Sequence, residues 1–118
     1  MTELVACLST GKGTWGHVGR MIKEQEWDQI FLITNDFGKE NFTAEKPAEF
    51  IIIDANKGIK EMRDDIVEKL KGKIKGLEVG VNLISGSGKE HMAILGALLK
   101  LGVGIRPIAL TKDGMEEI

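Results

Sequence analysis

The sequence predicts an α/β fold built on a doubly wound, mainly parallel sheet with helices on both faces. Three observations predict it. Apolar strand-like runs alternate with helical segments along the whole chain, which is the order of βα units. Most of these runs are continuously apolar, as expected of parallel strands covered on both sides. Glycine-rich turns stand where strands hand over to helices. A length of 118 residues argues for a single domain, 1–118, large enough for a core without disulfides or metal.

Leu4-Val5-Ala6-Cys7-Leu8 reads as the first strand, and a helix follows from about Trp15 to Glu26, closed by Trp27. Ile30–Thr34 is the second strand, and a short helix spans Gly38 to Phe42. After a connection at Thr43–Pro47, Phe50–Ile53 is the third strand. A helix starting near Gly58 places Ile59, Met62, Ile66 and Leu70 on one face and Lys60, Asp64, Glu68 and Lys71 elsewhere, the pattern of a surface helix. Val79–Ile84 is the fourth strand. The helix from about Lys89 to Leu101 is apolar nearly all round, so it needs cover on more than one side. The sheet supplies one cover. The other is a second copy of the chain docked on Met92–Leu101, or the terminal segment folded over it. Ile105–Leu110 is the fifth strand, and Pro107, which lacks a ladder donor, places it at or near an edge. The tail from Thr111 to Ile118 can turn back as a hairpin. The expected architecture is therefore a Rossmann-like sheet of five strands, or six if the tail adds one.

Composition narrows the class. A net charge of −2 and a pI near 5.7 leave no broad basic surface for duplex nucleic acid. The one cysteine, Cys7, lies in a strand and reads as a core residue; with no partner in the chain it fits a reducing cytoplasm. The first strand begins almost at once, so no signal peptide is expected. No apolar stretch reaches membrane-spanning length. Abundant Lys, Glu, Ile and Gly, with scarce Gln and no Tyr, lean toward a thermophilic source. Two histidines, one buried-looking cysteine and scattered acids show no metal-ligand spacing, and no cofactor is called for.

Two loops carry the chemistry. The first is Ser9-Thr10-Gly11-Lys12-Gly13-Thr14-Trp15-Gly16-His17 and the second is Ser85-Gly86-Ser87-Gly88-Lys89-Glu90-His91. Each follows a strand and opens a helix. Glycines let a ligand approach the backbone, and a helix start presents free N–H groups with partial positive charge. In a doubly wound sheet the first and fourth strands are neighbours, and ligands bind at their carboxyl ends. That topology would bring the loops together as two walls of one crevice. Lys12 and Lys89 can hold phosphate charge or simply stay solvated. Ser9, Thr10, Thr14, Ser85 and Ser87 can donate to phosphate oxygens or cap helices. His17 and His91 can transfer protons near neutral pH or serve structure. Trp15 can stack a base or pack on the sheet. Gly11-x-Gly13-x-x-Gly16, with Asn35-Asp36 ending the second strand, matches a dinucleotide fingerprint. The second loop is no Walker A motif, because Glu90 follows Gly88-Lys89.

The run Asn82-Leu83-Ile84-Ser85-Gly86-Ser87-Gly88-Lys89-Glu90-His91-Met92 resembles the second-loop pattern of CRISPR-associated Rossmann-fold (CARF) domains. Those domains carry an Asp or Asn, a Thr or Ser, a glycine pair, a Thr and a Lys before a methionine and an apolar helix. Here the span from Asn82 to Lys89 is one residue longer, and Gly88 stands where a Thr is common. Ser9 and Thr10 sit where that family has a ligand-contacting Ser or Thr. The resemblance implies an antiviral-defence homodimer binding a cyclic oligoadenylate across its two-fold axis, with slow, metal-independent phosphodiester cleavage as a further activity. In that chemistry the ribose 2′-hydroxyl attacks the adjacent phosphate, and the protein positions it and stabilises charge. Lys89 would stabilise the phosphate, Ser9 or Thr10 would orient it, and His17 or His91 would move protons. The alternatives are a dinucleotide-binding regulatory module built on the glycine fingerprint, and a non-catalytic assembly domain whose loops are only turns and caps.

Overall fold

Six strands pair in one sheet in the computed structural model of the chain, which describes residues 2–9 and 11–118. The elements run β1 (Glu3–Cys7), a 3-10 turn (Lys12–Thr14), α1 (Trp15–Glu24), β2 (Ile30–Thr34), α2 (Asp36–Asn41), β3 (Glu49–Ile52), α3 (Ile59–Leu70), β4 (Glu78–Asn82), α4 (Gly88–Lys100), β5 (Gly104–Thr111) and β6 (Gly114–Glu117). The strand order is β3-β2-β1-β4-β5-β6, with β1 through β5 parallel and β6 antiparallel to β5. The expected α/β class and Rossmann-like topology are what forms. The hairpin tail supplies the sixth strand.

Strand periodicity divides the core. Val5, Cys7, Phe31, Ile33, Ile51, Val79 and Val81 point to the face covered by α3 and α4, where they meet Met62, Ile66, Leu70, Ala93, Ile94, Ala97 and Leu98. Leu4, Ala6, Leu8, Ile30 and Leu32 point to the other face, where Trp15, Val18, Met21 and Ile22 of α1 cover them. Both faces of the central strands β1, β2 and β4 are dry, which is why their sequences show little polar alternation.

Local differences have local causes. The first long helix ends at Glu24 because Gln25 is extended, and Trp27 closes it by donating from Nε1 to the Met21 carbonyl at 2.9 Å. The short helix begins at Asp36 because Asn35 caps it, Oδ1 accepting from Gly38 N–H at 2.9 Å. Gly38 lies directly against β2, where a Cβ would overlap Thr34 Oγ1. Pro107 lies in β5, one strand in from the edge that β6 occupies. Its carbonyl accepts from Ile118 N–H at 2.8 Å, so its missing donor is on the β6 side and β4 loses no bond.

The tail does not fold over α4. It pairs at the sheet edge, and its Met115 joins the α1 side of the core. The sheet and α3 cover Ala93, Ile94, Ala97 and Leu98, whereas Met92 and Leu99 remain 61% and 68% exposed. Leu95 lies between them on the same outer stripe, half-buried. Among the described residues no helix is long and apolar enough to cross a membrane.

Candidate functional site

β1 and β4 are adjacent, Ala6 lying opposite Asn82, so the two glycine-rich loops leave the sheet side by side. A direct bond joins them: Ser9 N–H donates to Ser85 Oγ at 2.9 Å across 76 residues of sequence. Ser85 is buried, with 2% exposure, so this contact lies beneath the surface. The two loops are held together at the carboxyl ends of β1 and β4. Thr10, part of the first wall in the sequence, lies outside the described residues.

The second loop is shaped by its own capping chemistry. Ser87 Oγ accepts from Glu90 N–H at 3.3 Å, and Glu90 Oε1 accepts from Ser87 N–H at 2.8 Å, a reciprocal capping box. Glu90 is 6% exposed, and its charge sits in the first turn of α4, where the helix dipole favours an anion. Gly86 has φ +105°, and a Cβ there would come within 2.7 Å of Cys7 Sγ and 3.1 Å of His91 Nε2. Burial, and then the Glu90 charge, push the Cys7 thiol up to about 12, so it stays a protonated packing group. Lys89 lies along the rim, with Nζ donating to the Ala55 carbonyl at 2.9 Å. Gly88 is exposed beside it.

The first loop has the opposite character. Lys12, Gly13 and Thr14 make a single 3-10 turn before α1. Gly11, Gly13 and Gly16 all have ordinary negative φ, and among the described residues a Cβ on any of them meets nothing within 4 Å. These glycines leave exposed backbone after β1, and Gly16 borders a small hollow with Gly19, Arg20, Thr43 and Glu45. A dinucleotide fingerprint uses its third glycine for close helix–sheet packing; Gly16 has no such contact here. Trp15 takes the packing role, 8% exposed, with Nε1 donating to the Ser9 carbonyl at 2.9 Å. Phe37 and Phe42 pack on its ring, and Lys12 Nζ sits 5.8 Å from its centroid.

The two histidines hold opposite tautomers. His17 Nε2 receives the Leu110 N–H at 3.1 Å and lies 3.3 Å from Asn82 Nδ2, a second donor. It needs its lone pair there, so the neutral ring carries its proton on Nδ1. Burial, with a smaller contribution from Arg20, lowers its pKa. His91 Nε2 lies 2.7 Å from the Ser85 carbonyl, which only accepts, so that nitrogen is protonated. His17 ties α1 to β5, and His91 ties α4 to the second loop.

Ser9, Ser85, Gly86 and His91 thus meet, while Ser87 and Asn35 serve as caps, Lys12 lies over the Trp15 and Phe37 rings and Lys89 is tied to the Ala55 carbonyl. Sequence reasoning gave no site role to Phe37, to Glu90 or to the buried Asn82, whose Nδ2 donates to the Ile108 carbonyl at 2.9 Å. The Ser87-x-x-Glu90 spacing could have disclosed Glu90. A cavity of about 430 Å3 adjoins the same sheet end, bordered by Asp36, Asp54, Lys57 and Asp65. A cavity of about 810 Å3 lies at the opposite, amino end. The carboxylate there, Glu3, is already held by Gln29 and the amides of Lys75 and Gly76, and the loop chemistry is at the other end of the sheet. Neither the models of known protein families nor the curated proteins contain a match to this chain.

Proposed function

We propose that this chain is a nucleotide-ligand-binding domain of the CARF type, taking a cyclic oligoadenylate across a homodimer. The observation that supports the reading is the Ser9–Ser85 bond, which joins the two loops at the β1/β4 switch point. Bare glycine backbone at Gly11, Gly13 and Gly16 lets phosphates approach closely, and the fold makes no other use of those positions among the described residues. Lys12 and Lys89 would leave the aromatic rings and the Ala55 carbonyl to pair with phosphate charge. The apolar stripe Met92–Leu95–Leu99 supports a two-fold contact, because an exposed apolar row about two turns long gains by burial against its own copy. A dimer presents each wall twice, which suits a ring with repeated units.

Slow ring cleavage is the further activity this reading allows. Lys89 would stabilise the developing phosphorane charge, and Ser9 would help orient the attacked phosphate. His17 and His91 both commit Nε2 to the fold, so any proton transfer would use Nδ1. Their contribution to rate would therefore be modest.

Incubation with cyclic tetra- and hexa-adenylate tests the proposal by thermal shift and by chromatography for linear products. Stabilisation by one ring is expected, together with a dimer in sedimentation that Leu99→Glu converts to monomer. No shift and no product with either ring would overturn the reading. The dinucleotide alternative has in its favour the strand order and Asp36, which opens α2 two residues past β2. Binding of NAD that Gly13→Val abolishes would establish it instead.

A further inference from the structure

We infer that the exposed ring of Phe37, with Lys12 over it, is the purine-stacking subsite of this crevice; the inference rests on the nucleotide reading above. Phe37 lies in the first turn of α2, just past the end of β2, and is 40% exposed. The chain has six aromatic side chains, two Trp and four Phe, and three of them meet at this corner. Trp15 stands 5.9 Å from Phe37 at a 49° tilt, and Phe42 meets Trp15 edge-on at 5.7 Å. Trp15 is itself anchored by the Ser9 carbonyl, on the wall of the crevice. Gly38 presses α2 onto Thr34 and so fixes the position of Phe37. The result is a braced aromatic surface with one side open to solvent.

Lys12 Nζ sits 5.5 Å from the Phe37 centroid and 5.8 Å from that of Trp15. A cation over a ring marks an accessible, electron-rich face. A purine covers that face with far more contact area than an ammonium does, and every base has a π-face to offer. When a base stacks on Phe37, the Lys12 ammonium is displaced. Among the described residues, the bare backbone of Gly11 and Gly13 beside it leaves room for the ammonium to pair with the nucleotide's phosphate. Phosphate on the loops and base on Phe37 then give one nucleotide two separate anchors.

Trp15 fluorescence reads the arrival of a base, because the indole lies against Phe37. Titrations use cyclic tetra-adenylate, cyclic hexa-adenylate and adenosine 5′-monophosphate against the wild-type chain, Phe37→Ala, Phe37→Trp and Lys12→Ala. Whichever probe binds the wild type should bind Phe37→Ala at least about tenfold more weakly and Phe37→Trp within about twofold. Lys12→Ala should also bind more weakly, with a loss that shrinks as salt rises. Matching melting curves confirm that the variants fold. Equal affinity of wild type and Phe37→Ala for a ring would overturn the subsite and leave the nucleotide reading standing. Binding of the monophosphate alone, sensitive to Phe37, would support the subsite while removing the ring. Failure of all three probes to bind the wild type would remove both.

Discussion

Ser9 donates its backbone N–H to the hydroxyl of Ser85 at 2.9 Å, and this bond locks the carboxyl ends of β1 and β4 to each other. Ser85→Ala leaves that N–H facing a buried site with no acceptor. The expected loss is about 1–3 kcal/mol of unfolding free energy, read by urea denaturation. An unchanged midpoint would mean that the loops hold together without it.

Glycine in the two loops should respond to substitution in opposite ways. Gly86→Ala meets both a positive φ and the Cys7 thiol, and should cost about 2–4 kcal/mol. Gly16→Ala lies inside α1 with open space around it and should stabilise by about 0.5–1 kcal/mol. Thermal melts of both variants check the pair. A Gly16→Ala that melts higher yet loses ligand would show that the bare backbone serves binding.

His17 makes stability depend on acid. Its pKa in the folded chain lies below the ordinary value of 6.5, so the unfolded chain takes up the proton first. The stability it contributes is fully present above about pH 6.5 and falls as pH drops through the lower folded-state value. Protonated Nε2 would face the Leu110 and Asn82 N–H groups, so the joint between α1 and β5 opens. Denaturation midpoints from pH 8 to 5 should fall less in His17→Gln than in the wild type. Parallel profiles would assign the acid sensitivity elsewhere.

Cys7 should be silent toward thiol reagents. It is fully buried, and its thiol is pushed up to about 12. Labelling by a disulfide-exchange reagent at pH 8 should be negligible in the folded chain and complete in denaturant. Rapid labelling of the native chain would place Cys7 nearer the surface than its packing under Gly86 allows.

Much of this architecture is legible locally. Continuous apolar runs such as Ile30–Thr34 announce parallel strands, and the Ser87-x-x-Glu90 spacing announces the start of α4. The candidate site is legible only in outline. Trp15 and Phe37 are both aromatic residues near strand ends, and nothing in their spacing says which is buried. The contact between α1 and the sheet makes that choice, burying Trp15 and leaving Phe37 half open. Likewise the outer row of α4 is invisible in a helix that is apolar on all sides. It emerges once α3 and the sheet have taken Ala93, Ile94, Ala97 and Leu98.

The sequence by itself determined the alternation of strands and helices, the glycine loops at strand ends and the starts of the three long helices, because each follows from short-range periodicity, capping and backbone freedom. Only the tertiary structure decided that Ser9 and Ser85 bond the two loops together, that His17 and His91 hold opposite tautomers, and that Phe37 is the open aromatic. Those outcomes depend on strand order and on contacts between residues far apart in the chain, such as the 76 positions between Ser9 and Ser85. No local pattern encodes such contacts; they arise only when the sheet closes.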